Sequence, residues 1–169
     1  MPVIETERLL LSKLGADDAP FILELLNEPS FLRFIGDKGV RTLEDAREYI
    51  RKGPVDSYDR RGFGLYLTRL KDGEVPIGIC GLVKRETLED VDIGFAFLPQ
   101  FWSKGYAFES ARAVLRHGRE VIGLDRIVAI TNPENQGSIR LLEKLGLRFE
   151  RMIQLPESGG ENKLFVPGS

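Results

Sequence analysis

Residues 102–107, WSKGYA, form a small-residue turn between a predicted strand and a predicted helix. Side chains alternate between two faces over residues 91–98, which is typical of a strand, and Pro99 ends that pattern. Apolar residues then recur at helical spacing from Gly105 onward. Backbone N–H groups at a helix start lack intrahelical partners, and the helix dipole is positive there. The sequence therefore predicts an anion site, and phosphate is the expected anion.

The chain lacks the two commonest phosphate-binding motifs. It contains no G-x-x-x-x-G-K-[ST] loop, and no G-x-G-x-x-G between a strand and a helix. One histidine and one cysteine cannot build a usual zinc site, so we expect no metal. Cys80 lies in an apolar run, which predicts a buried thiol. His117 follows the apolar stripe of its helix and is expected at the surface.

Composition and charge limit the partners that this site could serve. The net charge is -2, because 24 Lys and Arg residues are scattered among 26 acids. With a pI of about 5.6, the chain has no basic footprint for nucleic acid. It has no apolar run of the roughly 20 residues needed to span a membrane, and its start is not that of a signal peptide. We therefore expect a cytoplasmic protein that binds neither nucleic acid nor membrane.

The elements that position the turn indicate one α+β domain over residues 1–169, built on a mixed sheet. Helices are predicted after Asp18, after Thr42 and after Gly105, and a further helix ends at Gly146. A DG pair in residues 71–73 indicates a hairpin. Strands are predicted at residues 8–14, 62–70, 75–86, 91–98, 125–131, 147–155 and 162–166, with residues 158–160 separating the last two.

Four sequence segments together resemble the GCN5-related N-acetyltransferases (GNAT), in particular the RimJ/RimL-like ribosomal-protein N-terminal acetyltransferases. They are TERLLLSKL with the following DDA, NEP, WSKGYA and NPENQGSIRLLEKLG. They cover residues 5–149 in the order of that family. The resemblance implies an acyltransferase with a sheet of about seven strands and about four helices. Its fourth and fifth strands, here residues 91–98 and 125–131, would splay apart to admit acetyl-CoA.

The resemblance also implies which residues hold acetyl-CoA. The backbone of the turn would bind the pyrophosphate, with Trp102 at its entrance. A backbone N–H of Phe97 or Leu98 would stabilise the thioester oxyanion, whereas Pro99 has no N–H to give. Asn135 would face the pantetheine arm while starting the last helix. The expected pyrophosphate residues are Ser103, Lys104, Gly105, Tyr106, Ala107 and Phe108, of which Ser103 replaces a usual glycine.

Acetylation of an amine requires removal of a proton, because a free amine is largely protonated at neutral pH. Asp92 is the predicted base, on the same strand face as Gly94 and Ala96. A carboxyl group with an ordinary pKa near 3.9 is a poor direct base, so Asp92 would act through water or position the amine. Glu89 and Asp90 are rival candidates, and a solvent-facing carboxylate without a role is the plain alternative.

The proton donor for the departing thiolate is less clear in the sequence. Leu142 stands where many members of the superfamily place a tyrosine. Ser138 lies one turn earlier on the same helix, so we predict that Ser138 or a water relays the proton. Arg140 and Lys144 are expected to form exposed pairs with Glu143 and its neighbours.

We predict an acetyl-CoA-dependent N-acetyltransferase in which a primary amine attacks the thioester directly. The acceptor, a protein N-terminus or a small amine, would lie between residues 29–40 and residues 155–162. Monomer and homodimer are both compatible with the resemblance. The alternatives are a non-catalytic acyl-CoA-binding module and, more remotely, a nucleotide-phosphate enzyme.

Overall fold

The computed structural model describes residues 1–156 and 160–168. In that part of the chain, eight strands form one sheet in the order β1-β2-β3-β4-β5-β6-β8-β7. The strands are β1 (Ile4–Glu5), β2 (Leu9–Lys13), β3 (Leu65–Leu70), β4 (Pro76–Val83), β5 (Val91–Phe97), β6 (Ile127–Thr131), β7 (Leu147–Leu155) and β8 (Gly160–Pro167).

The helices are α1 (Ala19–Leu26), α2 (Pro29–Phe34), α3 (Leu43–Ile50), α4 (Asp56–Arg61), α5 (Tyr106–His117) and α6 (Gln136–Lys144). Single 3-10 turns cover Ala16–Asp18 and Pro99–Phe101, and π-helical turns cover Arg51–Val55 and Gly118–Ile122. The predicted mixed α+β architecture is confirmed.

Strands β5 and β6 are neighbours only at one end. They run parallel, and their register contains two pairs, Val91 with Ile127 and Asp92 with Val128. Beyond Asp92, β5 continues its antiparallel ladder with β4 as far as Phe97, whereas β6 pairs with β8 from Ala129 onward. The two strands therefore diverge, as predicted, and leave a gap in the middle of the sheet.

Helices cover both faces of the sheet. On one face, α5 packs against β4 and β5 through Ala111, Val114 and Leu115, and α6 adds Leu142 to the same core cluster. On the other face, α1 and α3 pack together over Leu67 and Ile79. Both layers are needed because a strand that is buried on two faces presents side chains alternately to each.

The structure differs from the prediction around the early helices. The first helix ends at Leu26, and a further helix that the sequence analysis did not predict, α2, begins at Pro29. Proline suits a first helical position, where no intrahelical N–H bond is lost, and Glu28 before it is extended as a residue preceding proline should be. After α3 the helical path continues through Arg51–Val55 into α4, which ends at Gly62 with φ of 82°.

The sheet has one strand more than the expected seven. The additional strand β1 is only two residues long and pairs antiparallel with β2. Such a short edge strand carries little alternation, so its sequence has no strand signal of its own. At the other edge, β7 spans the predicted residues, and β8 extends beyond the predicted 162–166 at both ends. Residues 158 and 159 of the predicted turn lie outside the described part of the chain.

Candidate active site

Two cavities meet at the gap between β5 and β6. The larger one, of about 740 Å³, lies against the 102–108 segment and the first half of α6. The smaller one, of about 160 Å³, lies on the α1/α3 side of the sheet. Phe95 and Ala96 of β5 and Asn135 and Ser138 of α6 line both cavities. A molecule in either cavity would therefore reach the same stretch of the gap.

The predicted anion loop has the geometry that its sequence indicated. Gly105 precedes α5 with φ of 85°, in the left-handed region that glycine adopts without strain. The first i→i−4 bond at this end of α5 joins the Glu109 N–H to Gly105 O at 3.0 Å. The N–H groups of Tyr106, Ala107 and Phe108 precede it and lie at the positive end of the helix. All three residues line the larger cavity.

Ser103 also adopts a left-handed conformation, with φ of 62°. This is the position where related sequences carry glycine, and a residue with a Cβ is strained there. The loop thus keeps the glycine-like backbone with a serine in place.

Most of the residues predicted to bind acetyl-CoA line the larger cavity, but two do not. Lys104 and Leu98 are not among the residues that line the larger cavity. Leu98 donates its N–H to Ile77 O at 2.9 Å, so its predicted role as an oxyanion donor is wrong. Those that line it are Phe97, Trp102, Ser103, Gly105, Tyr106, Ala107, Phe108 and Asn135.

The backbone N–H of Phe97, unlike that of Leu98, is not bonded to β4. N–H groups along an antiparallel strand alternate between its two neighbours. Because Leu98 donates to β4, the Phe97 N–H turns the opposite way, into the gap between β5 and β6. The Phe97 carbonyl, which points to the same side, accepts the indole N–H of Trp102 at 2.8 Å. This bond ties the end of β5 to the entrance of the loop.

Arg8, which directly precedes β2, stabilises the loop through its side chain. The sequence analysis did not identify this residue. Its Nε donates to Glu109 Oε1 at 2.6 Å, and its Nη1 donates to Lys104 O at 3.1 Å. The guanidinium carbon also lies 4.5 Å from the centre of the Tyr106 ring. Glu109 accepts a further bond from Thr6 Oγ1 at 2.6 Å. The only signal in the sequence was that Thr6 and Arg8 belong to the TERL segment.

The electrostatics of Glu109 suit this bracing role. Burial opposes its charge, but hydrogen bonds from the Thr6 hydroxyl and from the backbone and side chain of Arg8 outweigh burial and lower the pKa of Glu109. The carboxylate is therefore ionised at neutral pH and holds the guanidinium beside the loop.

The start of α6 is arranged as predicted. Asn135 is the capping residue, and its Oδ1 accepts the Ser138 N–H at 3.1 Å. Ser138 is thus the third residue of the helix, near the positive end of its dipole, and its side chain faces both cavities. Leu142 is 1 % exposed and belongs to the core, so the usual tyrosine position contributes nothing to either cavity.

Asp92 lines the smaller cavity together with Gly94 and Ala96, as predicted. It is not solvent-facing, since it is 1 % exposed. Its Oδ2 accepts Arg85 Nε at 3.0 Å, which forms a buried ion pair. The rival Asp90 pairs with Arg126 at 3.1 Å on the surface, and neither it nor the exposed Glu89 is among the lining residues.

Arg140 and Lys144 differ from their predicted roles. In residues 1–156 and 160–168, no ion pair joins either of them to Glu143. Both instead line the larger cavity, and Lys144 Nζ lies 4.3 Å from the centre of the Phe108 ring. Glu143 lies three residues after Arg140 and next to Lys144, which favoured local pairs, but in the structure both cations line the larger cavity.

The match with known proteins accounts for this arrangement. Residues 8–148 match the family model of the acetyltransferase (GNAT) domain, which is most of the chain. The chain belongs to the GNAT family. It is therefore an acyltransferase, of a family that uses acetyl-CoA as the acyl donor.

Individual GNAT relatives agree with the family match. The chain is 32% identical over 147 residues to the uncharacterized N-acetyltransferase YnaD of Bacillus subtilis, covering 87% of this chain and 83% of that protein. A GNAT-family acetyltransferase from Bacillus anthracis superposes with a TM-score of 0.79 at 28% identity, over 96% of each chain. RimL, the ribosomal L7/L12 α-N-protein acetyltransferase, in complex with coenzyme A, superposes with a TM-score of 0.82 at 16% identity, over 98% of this chain and 97% of that one, which shows the shared fold.

This GNAT chain keeps its cysteine away from the chemistry. Cys80 is fully buried on β4, and burial raises the pKa of its thiol to about 12, despite an opposing hydrogen bond with Ser110. The predicted buried thiol is confirmed. His117 is partly rather than fully exposed, and burial lowers its pKa. Among the residues that the structure describes, no cluster of three His, Cys, Asp or Glu side chains could hold a metal, and no helix is long and apolar enough to cross a bilayer.

Several residues of the smaller cavity escaped the sequence analysis. Tyr49 of α3 and Arg85 after β4 lie far apart in the chain, yet both line it with Asn132 and Asn162. Burial raises the pKa of Tyr49, and the nearby charge of Arg85 acts in the opposite direction. The predicted acceptor segments do contribute, through Phe31, Phe34, Ile35 and Lys38 on one side and Asn162 on the other. Residues 157–159 of the second segment lie outside the described part of the chain.

Proposed function

We propose that this GNAT protein transfers the acetyl group of acetyl-CoA to a primary amine by direct attack. The acceptor is a protein N-terminal α-amine, as in RimJ/RimL-like enzymes, or a small amine. The observation that carries the proposal is that a helix-start anion loop and a second, smaller cavity open onto one gap, with Phe95, Ala96, Asn135 and Ser138 among the residues that line both cavities. Two substrates entering from opposite sides would meet there.

The larger cavity is the proposed donor site. The N–H groups at the start of α5 suit a pyrophosphate, because they are unpaired within the helix and carry the positive end of its dipole. Arg140 and Lys144 line the same cavity and add two positive charges for the phosphates. A volume of about 740 Å³ fits the range of roughly 300–1,000 Å³ that small-molecule sites occupy.

The thioester carbonyl would lie at the end of β5. The Phe97 N–H is turned into the gap and is the proposed donor to the oxyanion that forms when the amine attacks. Such a donor acts on the transition state because negative charge develops on that oxygen only during the reaction.

The thiolate that leaves would be stabilised by α6. Ser138 is in the first turn of that helix, where the dipole favours a negative charge, and its hydroxyl faces both cavities. A serine hydroxyl is a weak acid, so Ser138 hydrogen-bonds the thiolate or relays a proton from water. Asn135 caps the helix through Oδ1, so its amide nitrogen is directed away from the helix start. Asn135 also lines the larger cavity.

Asp92 enters the proposal as a positioning residue. A carboxylate that accepts a charge-assisted bond from a guanidinium is a poor proton acceptor. Water in the smaller cavity would relay the proton of the amine to bulk solvent, and the Arg85–Asp92 pair orients the acceptor.

An acyl-CoA-binding module without catalysis is the second candidate. The buried Leu142 and the ion-paired Asp92 support it, because they remove the usual tyrosine and weaken the expected base. Acetyl-CoA would then bind in the larger cavity and remain intact.

An acceptor panel separates the two candidates. Thiol release from acetyl-CoA is followed with N-terminal peptides, polyamines and amino acids, and acetylated products are identified by mass. Acceptor-dependent release supports the transferase. Gly105→Val serves as the donor-loop variant, because a β-branched residue is strained at φ of 85° and its Cβ would lie 3.2 Å from Arg8 Nη2. Thermal stabilisation by acetyl-CoA without release on any acceptor would instead identify a binding module.

A further inference from the structure

The smaller cavity holds an arginine, Arg85, that takes no part in the bond-making steps of the proposed acetyl transfer. Arg85 lies just after β4 in the connection to β5, and its side chain is 25 % exposed at the cavity wall. Its partner Asp92 is 1 % exposed, in the paired part of β5 between Val83 and Val128. The pairing of β5 with both neighbouring strands thus fixes the position of Asp92, and the ion pair with Asp92 fixes the position of the Arg85 guanidinium.

The ion pair with Asp92 leaves the two Nη groups of Arg85 to bind a ligand. The bond to Asp92 uses Nε at 3.0 Å, and the two Nη groups take no part in it. Those two groups present parallel donors in a planar fork, which matches a carboxylate better than any other common group. Breaking such a buried pair leaves an uncompensated charge, so Asp92 also keeps Arg85 from turning away.

The charges around the cavity disfavour a polycationic acceptor. Of the described residues that line it, Asp92 is the carboxylate, and it is already paired with Arg85, while Lys38 adds a further cation. An acceptor with several positive charges would need acids that this lining does not offer. An acceptor with an anionic group would instead gain charge-assisted hydrogen bonds from the Arg85 fork.

The length of β5 sets the separation between anion and amine. The proposed oxyanion donor Phe97 lies five residues beyond Asp92, which corresponds to about 17 Å of strand at roughly 3.4 Å per residue. Even with the Arg85 side chain spanning part of that distance, the two ends of the acceptor cannot be adjacent. A single carbon, as in an α-amino acid, is too short.

We propose that the acceptor is a small amine that carries a carboxylate several bonds away, as in a dipeptide or an ω-amino acid, and that Arg85 binds this carboxylate. This inference rests on the proposed acetyl transfer. The volume of about 160 Å³ agrees with it, since it lies below the roughly 300 Å³ at which drug-sized sites begin. Aromatic side chains of Phe31, Phe34 and Tyr49 line the cavity and can contact the apolar part of such a molecule.

The test is a ladder of matched acceptors. Glycine, β-alanine, 4-aminobutyrate, 5-aminovalerate and 6-aminohexanoate are compared with their carboxamides, and dipeptides with dipeptide amides, by kcat/KM from thiol release. We expect carboxylates to exceed amides by about 10- to 100-fold, mainly through KM, as one charge-assisted contact allows. The preference should be greatest at an intermediate length and absent for glycine.

A double variant assigns the preference to Arg85. Arg85→Gln with Asp92→Asn removes both charges and leaves no unpaired carboxylate, and we expect the carboxylate-to-amide ratio to fall to about one. The ratio compares two acceptors on the same protein, so a partly unfolded fraction does not affect it. The matched control is Arg126→Gln with Asp90→Asn, an exposed pair at 3.1 Å outside the cavity lining, which should keep the wild-type ratio.

The outcomes separate this inference from the function on which it rests. Release with amides, peptides or polyamines but without a carboxylate preference would overturn the inference and leave the transferase standing. A preference that survives the double variant would equally overturn it. No release with any acceptor, while acetyl-CoA still binds, would overturn both.

Discussion

Replacing Arg8 by glutamine should loosen the donor loop without touching either cavity's chemistry. The change removes the ion pair to Glu109 at 2.6 Å, the bond to Lys104 O at 3.1 Å and the contact with the Tyr106 ring at 4.5 Å. It spares the bonds from Thr6 Oγ1 and the Arg8 backbone N–H to Glu109, which do not use the guanidinium. The variant thus isolates what the guanidinium contributes.

The magnitude follows from the exposure of the partners. The side chains of Arg8 and Glu109 are 44% and 19% exposed, so the ion pair contributes only about 0.5–1 kcal/mol. The carbonyl bond adds about 0.5–1.5 kcal/mol. The ring contact adds about 0.5–1 kcal/mol. With allowance for non-additivity, the total loss is about 1–3 kcal/mol.

The loss of free energy in Arg8→Gln can be measured in two ways. The part lost from the unliganded fold appears in thermal unfolding, where 1 kcal/mol lowers Tm by about 2–4 °C for a chain of this size. The part that ordered the loop appears as a higher Kd for coenzyme A in calorimetry, tenfold for about 1.4 kcal/mol. Arg51→Gln is the matched control, because its exposed pair with Glu48 at 3.0 Å contacts no loop. If Arg8→Gln changes Tm and Kd no more than this control, the bracing role is wrong.

Acid should narrow the difference between the wild type and Arg8→Gln, because it removes the ion pair with Glu109 but not the contacts of Arg8 with Lys104 and Tyr106. The pKa of Glu109 is lowered in the folded chain, so its contribution is present above the ordinary glutamate pKa near 4.3 and is lost as the pH falls through the folded value. The Tm difference between the two proteins should therefore shrink as the pH falls below the ordinary glutamate pKa and through the lowered pKa of Glu109.

Four further predictions concern single residues. Ser103→Gly removes a left-handed serine, and after the entropy cost of glycine it should raise the free energy of unfolding by about 0.5–1 kcal/mol, whereas a lower Tm would contradict the strain at φ of 62°. Cys80, whose thiol pKa is about 12, should resist alkylation at pH 8 in the native protein and react once denaturant is added, and rapid native labelling would count against its burial. Asn135→Ala should cost about 1 kcal/mol of stability as a lost cap. Ser138→Ala leaves the cap intact, because Asn135 Oδ1 bonds the Ser138 backbone, so its kcat should fall while Tm stays constant.

Local signals in the sequence predicted the parts of the site that are local in the structure. The strand, loop and helix around Gly105 could be predicted from the sequence, because alternation of side chains, a small-residue turn and helical spacing follow one another along the chain. Asn135 was readable as a cap for the same reason. The face of β5 that carries Asp92, Gly94 and Ala96 followed from the period of a strand.

Contacts between distant segments were not predictable in this way. Arg8 meets Glu109 across 101 residues, and no pattern near either residue indicates the pairing. The partner of Asp92 was hidden because Arg85 follows the end of β4, in a connection without periodicity. Leu98 stood beside Phe97 as an alternative oxyanion donor because the strand was predictable from the sequence but its register with Ile77 was not. A shift of one residue reverses the direction of an N–H, which is why the choice between Phe97 and Leu98 needed the structure.

The bond from the Trp102 indole to Phe97 O has an optical consequence. Trp102 is the single tryptophan in the chain, and it is 48% exposed at the mouth of the larger cavity. Its fluorescence therefore reports on one place, the junction of β5 and the loop, without any label or background from other indoles. A ligand that enters beside it changes the solvation of the ring and hence the emission. The wild-type protein is thus its own probe for the kinetics of donor binding.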